Sequence, residues 1–285
     1  GDDFDYRARL GVERAPSDRA AILEALGRRR PGTLERDHAL VAGLTESALD
    51  CRRAAARGLE WLIRFGGKSR TAAPETLAAL RHTVVREKDS PLRASALSAL
   101  NLAGAGDDAV FAAALQDPDP QVRRLAVIGG RRFVDDASPI VRLEALKAAP
   151  TCERAVQATR DASGHVVLAG IDALGALKCP ADRALELATR GVSWRERARA
   201  GVALARVAPE QARPIVRALA KSEPWQARVY AAQAARVLVT DGRFFICELH
   251  PFRQYGGTVA NFQRSEEAVL IDAYVHHISD FLAAA

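Results

Sequence analysis

The sequence predicts an all-α chain through residue 239, built from stacked helix pairs, followed by a short α/β segment over 240–285. Three observations carry this. A short text recurs along the chain, helix-opening signals precede each copy, and the composition changes near residue 240. The recurring text reads Cys51-Arg52-Arg53-Ala54-Ala55, Leu92-Arg93-Ala94-Ser95-Ala96, Val122-Arg123-Arg124-Leu125-Ala126, Val141-Arg142-Leu143-Glu144-Ala145, Glu196-Arg197-Ala198-Arg199-Ala200 and Ala227-Arg228-Val229-Tyr230-Ala231. A degenerate copy, Val166-Val167-Leu168-Ala169-Gly170, lacks the arginine. Self-similarity of this kind marks a repeat architecture, in which each unit buries its apolar face only by stacking on its neighbours.

The motif explains itself physically. In Asp117-Pro118-Asp119-Pro120 the aspartate oxygen can accept orphan N–H groups of a helix start, and proline needs no donor there. Alanine at the inner positions lets helices approach closely, while Leu and Val fill the seam. An arginine this close behind an acidic turn is expected to bond carboxylates or carbonyls of the next repeat. Contact with a ligand is its alternative role.

These residues resemble the HEAT family in its short bacterial form, over roughly residues 17 to 239. The resemblance implies a right-handed α-α superhelix, a solenoid, and says little about activity. Segments such as Ala54-Ala-Ala-Arg-Gly-Leu-Glu-Trp-Leu62 and Trp225-Gln-Ala-Arg-Val-Tyr-Ala-Ala232 are similar to bacterial HEAT-repeat proteins, some of which carry a cyclophilin-type prolyl isomerase domain after the repeats.

Composition is that of an ordinary soluble protein, 48% hydrophobic and 27% charged over 285 residues, with only 6% aromatic. No apolar run reaches the ~18 residues of a membrane span, so no membrane partner is expected. Cys51, Cys152, Cys179 and Cys247 lie far apart without a Cys-x-x-Cys pair, which predicts buried free thiols rather than zinc or disulfides, and a cytoplasmic setting. Methionine is absent. The motif positions 52, 93, 123, 142, 167, 197 and 228 are separated by 41, 30, 19, 25, 30 and 31 residues. Two helices and two turns need about thirty residues, so the sequence predicts that a helix is missing around Ile128–Phe133.

In chain order, Ala15-Pro16-Ser17-Asp18-Arg19 caps a helix running to Leu26, and Arg28-Arg29-Arg30 suits the negative end of its dipole. Residues 35 to 65 form the next pair. Gly66-Gly67-Lys68-Ser69 resembles the end of a phosphate loop, but Leu62 stands where that motif needs glycine, and it is expected to be a plain loop. Gly104 and Gly106 read as a helix C-cap and turn. Trp194 and Trp225 occupy equivalent positions at repeat-helix starts, where they pack between repeats or form an exposed stacking surface.

Near residue 240 the chain changes character. Residues 241–285 hold three basic against six acidic residues, net −3, leaving 38 against 29 and net +9 for residues 1–240. Arg243–Leu249 and Ala268–Tyr274 are strand-like, and a helix follows from Ile278. Gly242–Tyr255 with Ala273–Phe281 resembles the end of class I S-adenosylmethionine-dependent methyltransferases. That likeness implies that His250, Arg253, Tyr255, His276 and His277 line a substrate side. The glycine-rich cofactor loop of that family is missing upstream, because repeats stand in its place. Part of the same tail, Gly257-Thr-Val-Ala-Asn-Phe262, is similar to the start of bacterial cyclophilins, without their Phe-His-Arg signature. Adjacent His276 and His277 would point to opposite faces of a strand, so no metal is expected.

Three functions follow. The first is a protein-interaction scaffold, which needs a protein partner and no cofactor. The second is an enzyme that uses the tail, an S-adenosylmethionine-dependent methyltransferase or a prolyl isomerase. The third is nucleic-acid binding, including the HEAT-like DNA glycosylases, which the positive charge of the repeats supports. Arg52, Arg53, Arg123 and Arg124, with Trp194 and Trp225, are the candidate binding residues of the repeats.

Overall fold

The computed structural model describes residues 5–28, 34–65, 72–132 and 134–238. Gly66–Ser69, the strands and helix expected after residue 240, and His250, Arg253, Tyr255, His276 and His277 lie outside the described residues. Among the described residues the fold is all-α, with no strand, consistent with a helical solenoid.

The chain divides into two compact units, Gly1–Ala149 and Pro150–Ala285. The first contains α1 (Tyr6–Val12), α2 (Pro16–Arg28), α3 (Leu34–Gly43), α4 (Leu49–Phe65), α5 (Pro74–Arg86), α6 (Ser90–Ala103), α7 (Asp108–Leu115), α8 (Pro120–Gly130) and α9 (Pro139–Ala148). The motif helices α2, α4, α6, α8 and α9 pack side by side in one layer, and α3, α5 and α7 form a second layer against them. Their core is leucine-rich, with Leu23, Leu40, Leu59, Leu80, Leu97 and Leu100 fully buried. Helices α2 and α4 cross where Gly27 meets Gly58, and a Cβ on Gly27 would lie 2.2 Å from the Gly58 Cα, so only glycine permits the approach.

The second unit contains α10 (Cys152–Ala158), α11 (Gly164–Ala176), α12 (Ala181–Arg190), α13 (Trp194–Val207), α14 (Pro209–Ala220) and α15 (Trp225–Leu238). Motif helices α11, α13 and α15 form its layer, each paired with the shorter helix before it. Here alanine dominates the buried positions, Ala198, Ala200, Ala203, Ala231 and Ala234 among them. Close packing replaces bulk: a Cβ on Gly175 would lie 2.8 Å from the Ala203 Cα.

The helix starts follow the capping logic of the sequence. Asp89 accepts from the Leu92 N–H at α6, Asp119 from the Gln121 N–H at α8, and Ser193 from the Glu196 N–H at α13. Glu196 in turn accepts from the Ser193 hydroxyl and from the Val192 N–H just before the cap, which reinforces this helix start. Gly104 ends α6 at φ 62°, the left-handed conformation expected of a glycine cap. The nineteen-residue interval also has a structural counterpart. Between Gly130 and Pro139 the described residues form no helix, and motif helix α8 packs directly on motif helix α9.

The expectation of free thiols needs correction. Cys152 and Cys179 form a disulfide, with Cα atoms 5.4 Å apart and a sequence separation of 27. The reason is the antiparallel pairing of α10 with α11, which brings the first residue of one helix beside the turn that follows the other. Linear spacing does not display that proximity. Cys51 remains a buried free thiol, and burial raises its pKa.

Candidate functional site

The residues singled out by the sequence are the motif arginines, and the structure gives them a repeated geometry. Each donates through Nη1 to the carbonyl six positions back: Arg52 to Glu46, Arg93 to Glu87, Arg123 to Asp117, Arg142 to Asp136, Arg197 to Gly191 and Arg228 to Ser222. Most also donate to the carbonyl five back, so the guanidinium ties the loop before each motif helix to that helix.

In the first unit the same guanidinium extends a second arm to the next repeat. Arg52 Nε lies 3.0 Å from Glu87 Oε2. Arg93 grips Asp117 through two bonds of 2.6 and 2.7 Å, and Arg123 grips Asp136 through two of 2.7 and 2.9 Å. Each acceptor sits six residues before the next motif arginine, so its carboxylate receives one repeat's arginine while its carbonyl receives the next. Arg19, on α2, belongs to the same series, bonding the Glu13 carbonyl and the Glu46 carboxylate. Paired forks of this kind are the strong form of the arginine–carboxylate bond.

Arg53 and Arg124, one residue on, point to neighbouring repeats as well. Arg53 holds Asp89, itself the cap of α6, at 3.0 and 2.6 Å, and Arg124 reaches Glu144 at 3.2 Å. The electrostatics follow the contacts. The hydrogen bond from Arg123 holds the Asp136 carboxyl below its ordinary pKa, and Arg53 does the same for Asp89. Asp119 is lowered by the Ser90 hydroxyl first and the Gln121 N–H next. At Glu87 burial pushes the pKa up, but the Lys88 and Asp89 N–H groups and Arg52 together bring it down.

The second unit breaks the series. Val167 replaces the arginine, and Gly191 and Ser222 stand where the first unit has acids. Trp194 packs against the second core with the Arg195 guanidinium 4.7 Å from its ring, whereas Trp225 is 38% exposed and outside that core. The two tryptophans therefore share a sequence position and differ in surroundings.

Among the described residues no group of three or more His, Cys, Asp or Glu side chains is placed to hold a metal. A cavity of about 10 Å³ lies between Asp37, Leu59 and Thr76, room for about one water and far too little for a nucleotide-sized ligand. No helix among the described residues is long and apolar enough to cross a membrane.

The sequence led us to expect arginine bonds to carboxylates or carbonyls of the next repeat, but singled out neither Arg19 nor the individual acids that receive them. The signal was present: an acid six residues before each arginine of the series in the first unit, at Glu13, Glu46, Glu87, Asp117 and Asp136. No protein-family model matches the chain, and no curated protein matches it. Among solved structures it is similar to two engineered proteins of the Northeast Structural Genomics Consortium. One is 15% identical over 82% of this chain and 96% of that chain, with a TM-score of 0.34. The other is 15% identical over 94% of this chain and 87% of that chain, also with a TM-score of 0.34.

Proposed function

We propose that this chain is a protein-interaction scaffold whose units are stretches of HEAT-type right-handed α-α superhelix. The observation that supports it is the use of the arginines. Arg52, Arg53, Arg123 and Arg124 each meet a carboxylate inside the fold and are at most 35% exposed, so the residues that suggest a nucleic-acid surface are largely covered as well as paired. A phosphate backbone needs cations free to replace its counterions. What the helix pairs leave outward is a broad side-chain surface, and recognition of a protein partner is the use that needs nothing more.

The methyltransferase and prolyl isomerase readings rest on the tail after residue 239 and gain nothing from the described residues. The Cys152–Cys179 disulfide favours an oxidising compartment over the cytoplasm, because cytosolic thiols are kept reduced. Two titrations of the full chain test the proposal. Calorimetry with S-adenosylmethionine is expected to show no heat of binding. A labelled 20-base-pair duplex is expected to bind without sequence preference and to be released by 0.2 M salt. Saturable cofactor binding, or sequence-selective DNA binding that survives that salt, would overturn the reading.

A further inference from the structure

In the first unit a row of large apolar side chains stands exposed on adjacent motif helices. Trp61 on α4 is 42% exposed, Leu102 on α6 43% and Ile128 on α8 39%, with Phe65 at 40% beside Trp61. The placement is built into the repeat. Trp61 and Leu102 each lie nine residues after their motif arginine, and Ile128 lies one turn earlier at five. Cross-helix bonds fix the neighbours: the Ser98 hydroxyl donates to Glu60, and the Asn101 amide donates to the Leu125 carbonyl. Trp61 is braced from two sides, by Phe65 with ring centroids 4.6 Å apart and by the Arg28 guanidinium 5.7 Å from its ring.

The rim of this row is basic and outward-facing. Arg28, Arg57, Arg64 and Arg132 are 59%, 46%, 47% and 44% exposed. Their carboxylate partners are fewer, since Arg28 and Arg57 share Glu24, and Glu24 and Glu60 are only 31% and 20% exposed. Asp108, the partner of Arg132, is the open one at 89%.

We infer that this face of the first unit docks an acidic amphipathic helix of a partner protein, with apolar anchors on the Trp61–Leu102–Ile128 row and carboxylates over the flanking arginines. The inference rests on the protein-interaction reading and names its surface and partner chemistry. Packed helices lie roughly 8 to 10 Å apart, so anchors six or seven residues apart on one helix would meet successive motif helices. Recognition by an apolar stripe with complementary charges on its rim is the helix-in-groove mode. The aliphatic continuation through Leu102 and Ile128 favours a peptide over single-stranded nucleic acid, whose bases need a series of aromatic platforms.

The test is fluorescence anisotropy on the full chain with a labelled 18-residue Leu/Glu amphipathic peptide, its Leu/Lys twin and an 18-nucleotide single strand. The Glu peptide is expected to bind at least about tenfold tighter than the Lys twin. Trp61→Ala and Leu102→Glu are each expected to weaken it by about tenfold or more, and Val192→Glu, on an exposed position of the second unit, to leave it unchanged. Equal binding of the twins, indifference to both substitutions, or preference for the oligonucleotide would overturn the assignment; the twin comparison needs no variant to fold. Selection of random displayed peptides separates the two claims. Selected peptides insensitive to Trp61→Ala and Leu102→Glu would remove this surface and keep the scaffold, whereas selection of none would overturn both.

Discussion

The two units share one helical motif and hold it together by different means. In the first, leucines fill the core, and arginine bonds to Glu46, Glu87, Asp117 and Asp136, the last two as two-bond forks, join successive repeats. In the second, the arginine is lost once at Val167, two of the acids are lost at Gly191 and Ser222, and alanine outnumbers the larger side chains in a core bordered by a disulfide. The motif helix thus fixes the local geometry, while the bond between repeats is free to change. An arginine that keeps its two carbonyl contacts still secures its own loop, as Arg228 does.

This contrast can be broken from either side, with the response of each unit read by hydrogen exchange of its own peptides. The largest effect is expected in the second unit. Replacing Cys152 and Cys179 by alanine opens a loop of 27 residues and should cost about 3.5 kcal/mol there, leaving the first unit unmoved. Asp136→Ala should act on the first unit alone, by about 2 to 3 kcal/mol, because the Arg123 charge is left largely buried without its partner.

Acid should also separate the units. Asp89, Asp119, Asp136 and Glu87 all have folded pKa values below their ordinary ones, so their contribution is present above about pH 4 and is lost as pH falls through the folded values. Protection in the first unit should therefore decline below about pH 4, while the disulfide-closed pair α10–α11 holds. Simultaneous loss in both units would contradict the division. The smallest expected change is a gain: Ser222→Asp offers Arg197 the carboxylate that the first unit provides at the same place, and should stabilise α13–α15 by up to about 1 kcal/mol.

What the sequence made legible follows from what repeats. Helix starts at Asp89, Asp119 and Ser193, the cap at Gly104 and the short interval after Ile128 are all local signals. Arg19 escaped because Ile22 stands where the other copies have alanine. The positions of the acids escaped because each lies three residues before its own helix and six before that helix's arginine, yet bonds the arginine of the repeat before it. The disulfide escaped because only the antiparallel return of α11 along α10 joins its ends. Trp61 was overlooked in favour of Trp194 and Trp225, since its place at the far end of α4 matters only once Leu102 and Ile128 are exposed on the motif helices that follow.

The central claim is that the motif arginines serve the fold, and Arg93 with Asp117 is its sharpest case, the two side chains being only 9% and 7% exposed. A double-mutant cycle on Arg93→Ala and Asp117→Ala, followed by urea unfolding of the first unit, measures their coupling directly. A coupling of about 2 kcal/mol or more is the result this account predicts. A value under about 0.5 kcal/mol would mean that the fork adds little to the fold, and would return the motif arginines to the search for a ligand.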